Sequence, residues 1–357
     1  MSDPADDTLS LPRVLHNTMA RHALIVVALA AVLLLATFQL DAFTNYNLAG
    51  IAIYATAAAG LTVLTGVNGQ LSLGHGALMA IGAYTTSLLL KAQPHTPVIL
   101  TLLAAVVATG AAGAIIGVAA ARLRGPYLAG ATLSLAVGLP QVAIHFGSVF
   151  GGNQGLNVPP LTPPAALGSD FPNERWLAWI AIAAALITLF LLANLLRSAT
   201  GRRLRAVRDD EAAAKLAGID VARTQVLAFV ISAACAGLAG SLFAYWVGIT
   251  APTGFGLTLS LQLLSAIVIG GLGSLAGAVW GSIFLVYLPI WTSSLAGNLS
   301  LSSDVTNNLP LAVYGAMLVV AMLAFPRGIQ GGLVSLGRLA ARSLRGLGTG
   351  PRIGDQT

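Results

Sequence analysis

Long uncharged apolar runs recur along the whole chain, and they decide what it can fold into. They lie at about 23–40, 48–65, 71–90, 98–120, 128–146, 176–196, 226–249, 257–272, 275–291 and 309–325. Most are close to the length a helix needs to cross about 30 Å of hydrocarbon. Backbone in lipid must bond within its own segment, so the runs are expected as helices, and the ~10-residue alternation of a membrane barrel is absent. Only 8% of the 357 residues are charged, and no aspartate or glutamate falls inside a run. These features define an all-α integral membrane protein of about ten transmembrane helices. The first run is long for the core of a signal peptide, and no small-x-small cleavage site precedes Asp41, so it reads as a retained span.

Charge sets the threading. With the N-terminus inside, all but Lys91 and Arg175 of the 18 lysines and arginines fall on one side. That bias predicts cytoplasmic termini in a multi-pass bacterial inner-membrane protein. Reading 257–291 as one kinked helix would give nine spans and carry the five arginines after Phe325 outside, so ten is preferred. The division is then a cytoplasmic segment 1–22, a transmembrane domain 23–325 and a basic cytoplasmic tail 326–357. Within the domain, loop 147–175 faces the periplasm and loop 197–225 the cytoplasm. The basic balance is confined to loops, so it points to topology and to the anionic lipid surface rather than to nucleic acid. Cys235 is the single cysteine and lies in an Ala/Gly-rich run, which leaves no disulfide framework and no thiolate metal cluster.

Two stretches carry more than hydropathy. The first is "NGQLSLGHGA", Asn68 to Ala77. The threading puts Asn68 to Gln70 at the inner boundary of the membrane and lets Leu71 open the third span. Gln70, Ser72, Gly74, His75 and Gly76 are then candidates for a pathway or hinge element. His75 has no carboxylate partner in any span, so a structural hydrogen bond outweighs a proton relay. No catalytic and no metal-binding residue is expected. The stretch from Ala57 also echoes the one from Ala234, sharing A-x-A-G-L; on this threading the two would form an inverted repeat.

The second stretch, "RDDEAAAKLAGID", has the signals of a short surface helix. Arg208 precedes it, Asp209 or Asp210 is the N-cap, Glu211 is in the first turn, and Gly218 ends it. Ala212, Ala213, Leu216 and Ala217 form its apolar stripe. The spacing Glu211-Ala212-Ala213-x4-Gly218 resembles the cytoplasmic loop motif of ABC-transporter permeases, which implies a helix that seats in a groove on an ATP-binding subunit. The chain has no G-x-x-x-x-G-K-[ST] phosphate loop, so ATP and magnesium would sit on a separate ATPase.

Further matches follow in order: "GQLSLGHGALMAIGAY" from Gly69, "LRGPYLAGATLSLA" from Leu123, "GGNQGL" from Gly151, the segment Gly201 to Ala244, "VIGGLGSLAGAVWGS" from Val268 and "FPRGIQGGL" from Phe325. As a set, covering roughly 48–333, they resemble the permeases of branched-chain amino acid ABC importers, in their LivM branch. The resemblance implies the permease fold of ABC importers and a non-catalytic subunit. It also implies a second related permease, two cytoplasmic ATPases and a periplasmic solute-binding protein as partners. Leucine, isoleucine and valine are the implied substrates, while urea, short amides and other amino acids stay open, as does an ion-coupled carrier. The family pattern is left at Leu139-Pro140-Gln141, where an acidic residue is common, and at Phe150, where threonine is common; both bear on substrate identity.

Overall fold

The computed structural model describes residues 18–123, 125–168 and 170–298, with 308–309, 312–313, 315–316, 319–320 and 328–332. Helix α1 (Thr18–Gln39) is followed by α2 (Ala42–Leu61), whose end widens into a π-helical turn, Thr62–Val67. Next come α3 (His75–Ala92), α4 (Val98–Ala120), α5 (Pro126–His145) and the single turn α6 (Gly147–Phe150). Then follow α7 (Asn173–Arg197), α8 (Ala199–Asp209), α9 (Glu211–Leu216), α10 (Val221–Val247), α11 (Leu257–Gly270) and α12 (Leu275–Asn298). Among the described residues, eight helical stretches are long and apolar enough to cross a membrane. Helix α3 is a further long helix, diluted by His75, Thr85, Thr86, Ser87 and Lys91. The expected tenth span, 309–325, and the basic tail lie mostly outside the described residues.

The bundle is organised around α10, which packs along α4 and α3. Lipid offers no hydrophobic drive between helices, so small residues that admit close backbone contact hold such bundles together. Helix α10 supplies them. A side chain at Gly82 would collide with the Gly237 carbonyl, one at Gly240 with the Met79 carbonyl, and one at Gly113 with Ala233. Hydroxyls reinforce the same seam, with Thr86 and Ser241 2.5 Å apart and Thr101 and Tyr245 2.9 Å apart. Helix α1 packs on α7 at the periphery, where the Arg175 guanidinium lies 5.0 Å from the Phe38 ring centre.

Residues 257–291 are two elements, as the ten-span threading requires. Helix α11 stops at Gly270 and α12 starts at Leu275, and the two form an antiparallel hairpin in which Gly270 packs on Gly277 and Gly281 on Ala266. The far end of α10 turns at Gly248 (φ +77°) into a two-residue strand, β2 (Ile249–Thr250). This pairs antiparallel with β1 (Leu156–Asn157) of the long loop, so the ends expected outside the membrane fall together.

The sequence echo has a structural counterpart. Aligning Ala57 with Ala234 sets His75 opposite Pro252. The chain re-enters helix near both places, α3 at His75 and, after a 3-10 turn at Pro252–Phe255, α11 at Leu257. The two starts touch: the Gly76 amide donates to Ser260 Oγ at 3.0 Å, and a side chain at Gly76 would press on the carbonyls of Phe255 and Gly256.

Candidate functional site: coupling loop and transport pathway

The stretch Asn68 to Gly74 is not helical, which corrects the expectation that Leu71 opens the third span, while Gly69 and Leu71 are exposed at the coupling-loop end of the bundle. After the π turn, Asn68 N donates to Val63 O at 3.0 Å and Gln70 N to Leu64 O at 3.1 Å. The chain then turns back along α2 without helical structure and becomes helical only at His75. His75 Nε2 donates to the Ala57 carbonyl at 2.9 Å. Ala57 lies ten residues before Val67, so α3 starts about 15 Å up from the end of α2 at ~1.5 Å per residue. Non-helical backbone at that depth is tolerated only inside protein with its groups paired. Leu73 N donates to Thr132 Oγ1 at 3.0 Å, and the Gln70 carbonyl accepts from Thr65 Oγ1 at 3.0 Å.

All five candidates in this stretch are therefore buried within the chain, Gln70 at the wall of a cavity. His75 is 0% exposed, Ser72 1% and Gln70 6%; Gly74 and Gly76 are buried as well. Gly74 abuts the Thr132 carbonyl and Gly76 the start of α11, which makes them contacts between elements. Asn68, at 3% exposure, keeps both side-chain polar atoms unpaired among the described residues.

The loop 197–225 folds as two helices at one end of the bundle. In α8, Arg205 donates to the Leu196 carbonyl at 2.9 Å and Arg208 to the Gly66 carbonyl at 2.6 Å. These arginines close the C-terminal ends of α7 and α2, a role that the topology reading alone did not assign. Asp210 is the N-cap of α9, its Oδ1 accepting from the amides of Ala212 (2.7 Å) and Ala213 (3.0 Å). Glu211 Oε1 accepts from Gln225 Nε2 at 2.9 Å and ties α9 to α10. Gly218 follows the helix at φ +78°. The expected apolar stripe points outward: Ala212, Ala213, Leu216 and Ala217 are exposed, Leu216 at 92%, and it is Ala214 that α9 buries. Asp209 is exposed beside them.

A cavity of about 780 Å³ lies between the two candidate regions. Asn68 to Leu71 line one wall, Leu123, Leu128 and Ala129 another, and Arg208 to Glu211 with Gln225 the third. It brings together residues far apart in sequence and opens at the end where the threading puts the loop.

The outer surface of the bundle is not uniform. The exposed positions within α4 are Leu103, Val107, Ala111 and Ile115 with their neighbours, and α1 exposes Leu24, Val27, Val32 and Leu35. These faces are apolar throughout, as contact with lipid requires. Helix α5 differs. Among its exposed residues Gly130, Ala131, Ser134, Gln141 and His145 recur with Gly138 every three or four positions, so they share one face, on which Tyr127 and Val137 are exposed as well. That face begins at the cavity, whose wall Leu128 and Ala129 form, and ends beside the loop that carries β1. Near its upper part a smaller cavity of about 190 Å³ is lined by Ile81, Leu88, Leu139, Val142, Ala143 and Phe150, among others. Leu139 and Phe150, two of the departures from the family pattern, thus meet in one apolar pocket. The α5 face escaped the sequence reading, although the spacing of Ser134, Gln141 and His145 was its available signal.

Fold and surface define a multi-pass, almost wholly helical membrane protein in which one exposed helix face is more polar than the others. A profile of the family described as "Branched-chain amino acid transport system / permease component" matches residues 44–322. The chain belongs to that family. It is 30% identical to the high-affinity branched-chain amino acid transport system permease protein LivM of Salmonella typhimurium, over 86% of this chain and 73% of that one. To LivM of Escherichia coli K12 it is 32% identical over 78% of this chain and 67% of that one. To the LivH permease of the same Salmonella strain it is 28% identical over 78% and 91%. No solved structure matches.

Proposed function

We propose that the chain is the permease subunit of an ATP-driven importer that moves leucine, isoleucine and valine across the bacterial inner membrane, with both termini in the cytoplasm. It pairs with a second, related permease, two cytoplasmic ATPases that hold ATP and magnesium, and a periplasmic solute-binding protein. The observation that carries this reading is the exposed face of α5. Gln141 and His145 turned to hydrocarbon would leave side-chain polar groups unpaired at a cost of several kcal/mol for each buried group, whereas the Ser134 hydroxyl on the same face is already paired with the Gly130 carbonyl at 3.0 Å. Turned toward the second permease, the same face lines a wet path from the β-ribbon end to the cavity at the coupling loop. An α5 face without carboxylates or lysines suits a zwitterion, and the aliphatic pocket at Leu139 suits its branched side chain. On this reading Ser72, Gly74, His75 and Gly76 act as a hinge behind the path, since they are buried within the chain, and Gln70 lies at its inner end on the wall of the cavity. The exposed face of α9 is the surface that docks on the ATPase.

Thiol labelling tests it. Cys235 is buried, so single cysteines can be added to an otherwise silent chain. In the assembled complex Ser134→Cys and Gln141→Cys should react with a membrane-impermeant thiol reagent and be protected by loaded binding protein. Ile115→Cys, on the 75% exposed lipid face of α4, should not react. Equal silence at Ser134, Gln141 and Ile115 would place α5 in lipid, and leucine uptake that persists without the ATPase would reject the importer.

A further inference from the structure

Three glycine-rich stretches with no evident common purpose in the sequence converge on one point at the coupling-loop end of the bundle. They are the end of α2 at Gly66–Gly69, the α11–α12 turn at Gly271–Ser274, and Gly328. A side chain at Gly66 would collide with the Gly273 amide, and one at Gly328 would lie 2.5 Å from Gly271 Cα. Gly69, Gly271, Gly273 and Gly328 all have positive φ, at 77°, 126°, 82° and 62°. Such backbone is open to glycine and strained for other residues. Arg208 lies against this junction. A Cβ at Gly69 would sit 3.0 Å from Arg208 Cγ, and one at Gly273 3.8 Å from Arg208 Nη1.

The guanidinium makes the connection polar as well as steric. At the end of α2 the amides of Asn68 and Gln70 go back to Val63 and Leu64. Arg208 Nη1 donates to the Gly66 carbonyl at 2.6 Å, putting a full positive charge on the negative end of the helix. Arg208 is also in the last turn of α8, two residues before the Asp210 cap of α9. A displacement of α9 therefore reaches the end of α2 and the α11–α12 turn through one side chain.

We propose that Arg208 is a positioning residue that transmits movement of α9 to a glycine hinge formed by Gly66–Gly69 and Gly271–Ser274. This rests on α9 being the ATPase-docking element. The test is a double-mutant cycle in the full complex, reconstituted in proteoliposomes with its binding protein. Arg208→Gln removes the charge, Arg208→Lys keeps a charged donor, and Gly66→Ala forces the junction apart. Arg208→Gln and Gly66→Ala should each lower maximal leucine uptake about tenfold, with the half-saturating binding-protein concentration unchanged and more ATP hydrolysed per leucine moved. Arg208→Lys should recover part of the rate, and the double variant should be no slower than the slower single one. Losses that multiply to about a hundredfold, or an Arg208→Gln complex that transports at the wild-type rate, would overturn the proposal. If Arg208→Gln does not assemble, Arg208→Lys against Gly66→Ala gives the same cycle. Ala212→Trp, on the exposed face of α9, tests docking separately: wild-type recovery of ATPase with tagged permease and wild-type coupling would remove the docking reading, and the transmission with it, whatever the cycle gives.

Discussion

His75 presents two ring nitrogens to a fully enclosed site, and among the described residues only Nε2 has a partner, the Ala57 carbonyl. That bond fixes where α3 begins, because it pins the first residue of the helix to the middle of α2. A glutamine can donate a similar bond from a side chain of comparable reach, while leucine cannot. His75→Gln should thus keep most leucine uptake. His75→Leu should destabilise the purified complex by about 1–3 kcal/mol, the usual cost of losing a buried bond and its partner, read as a lower thermal midpoint. Near-complete loss of uptake in a well-assembled His75→Gln complex would instead assign His75 a direct part in transport. The histidine could be singled out from the sequence because it is isolated among glycines. Its partner could not, since nothing local marks a carbonyl 18 residues earlier.

At the scale of elements, the hydrophobic runs named nearly every span, because charge cannot sit in hydrocarbon and its spacing marks the helix ends. What they could not mark was the interruption of a span inside protein. Leu71 and Leu73 are apolar, so hydropathy extends the third helix to include them, although they are non-helical there and the helix starts at His75. The face of α5 was hidden for another reason: its polar spacing was visible, but which side stays uncovered depends on how α3 and α11 pack against it. The α3–α10 crossing shows what the packing demands. A methyl at Gly82 meets the Gly237 backbone, whereas one at Gly110 of α4 meets nothing within 4 Å. Gly82→Ala should therefore lower stability by about 1–3 kcal/mol through overpacking. Gly110→Ala should be neutral or raise it by up to about 1 kcal/mol through helix propensity. Thermal unfolding of the two variants in one detergent compares them directly, and equal midpoints would mean that α3 and α10 do not touch as described.

For the whole molecule the decisive question is how a loop at one end would govern the path proposed along α5. The loop's position was legible from its basic residues and its E-A-A-x4-G spacing. Its attachments were not, because Arg208 and Gly66 are 142 residues apart. Two substitutions separate the loop's fold from its use. Glu211→Lys breaks the bond to Gln225 and puts a cation at the N-terminus of α9, where the helix dipole disfavours it. Gly218→Trp forces a side chain onto a residue at φ +78° with open space around it, so it alters the docking surface without a clash inside the permease. Both variants should reach the membrane at wild-type levels, because neither residue lies in a span. Both should lose uptake, and the ATPase of the assembled complex should no longer rise when loaded binding protein is added. Permease content by immunoblot, leucine uptake in vesicles and stimulated ATP hydrolysis distinguish these outcomes. Full stimulation with full uptake in both variants would mean that α9 is only a capped surface turn, and that the force moving the α5 face enters the chain elsewhere.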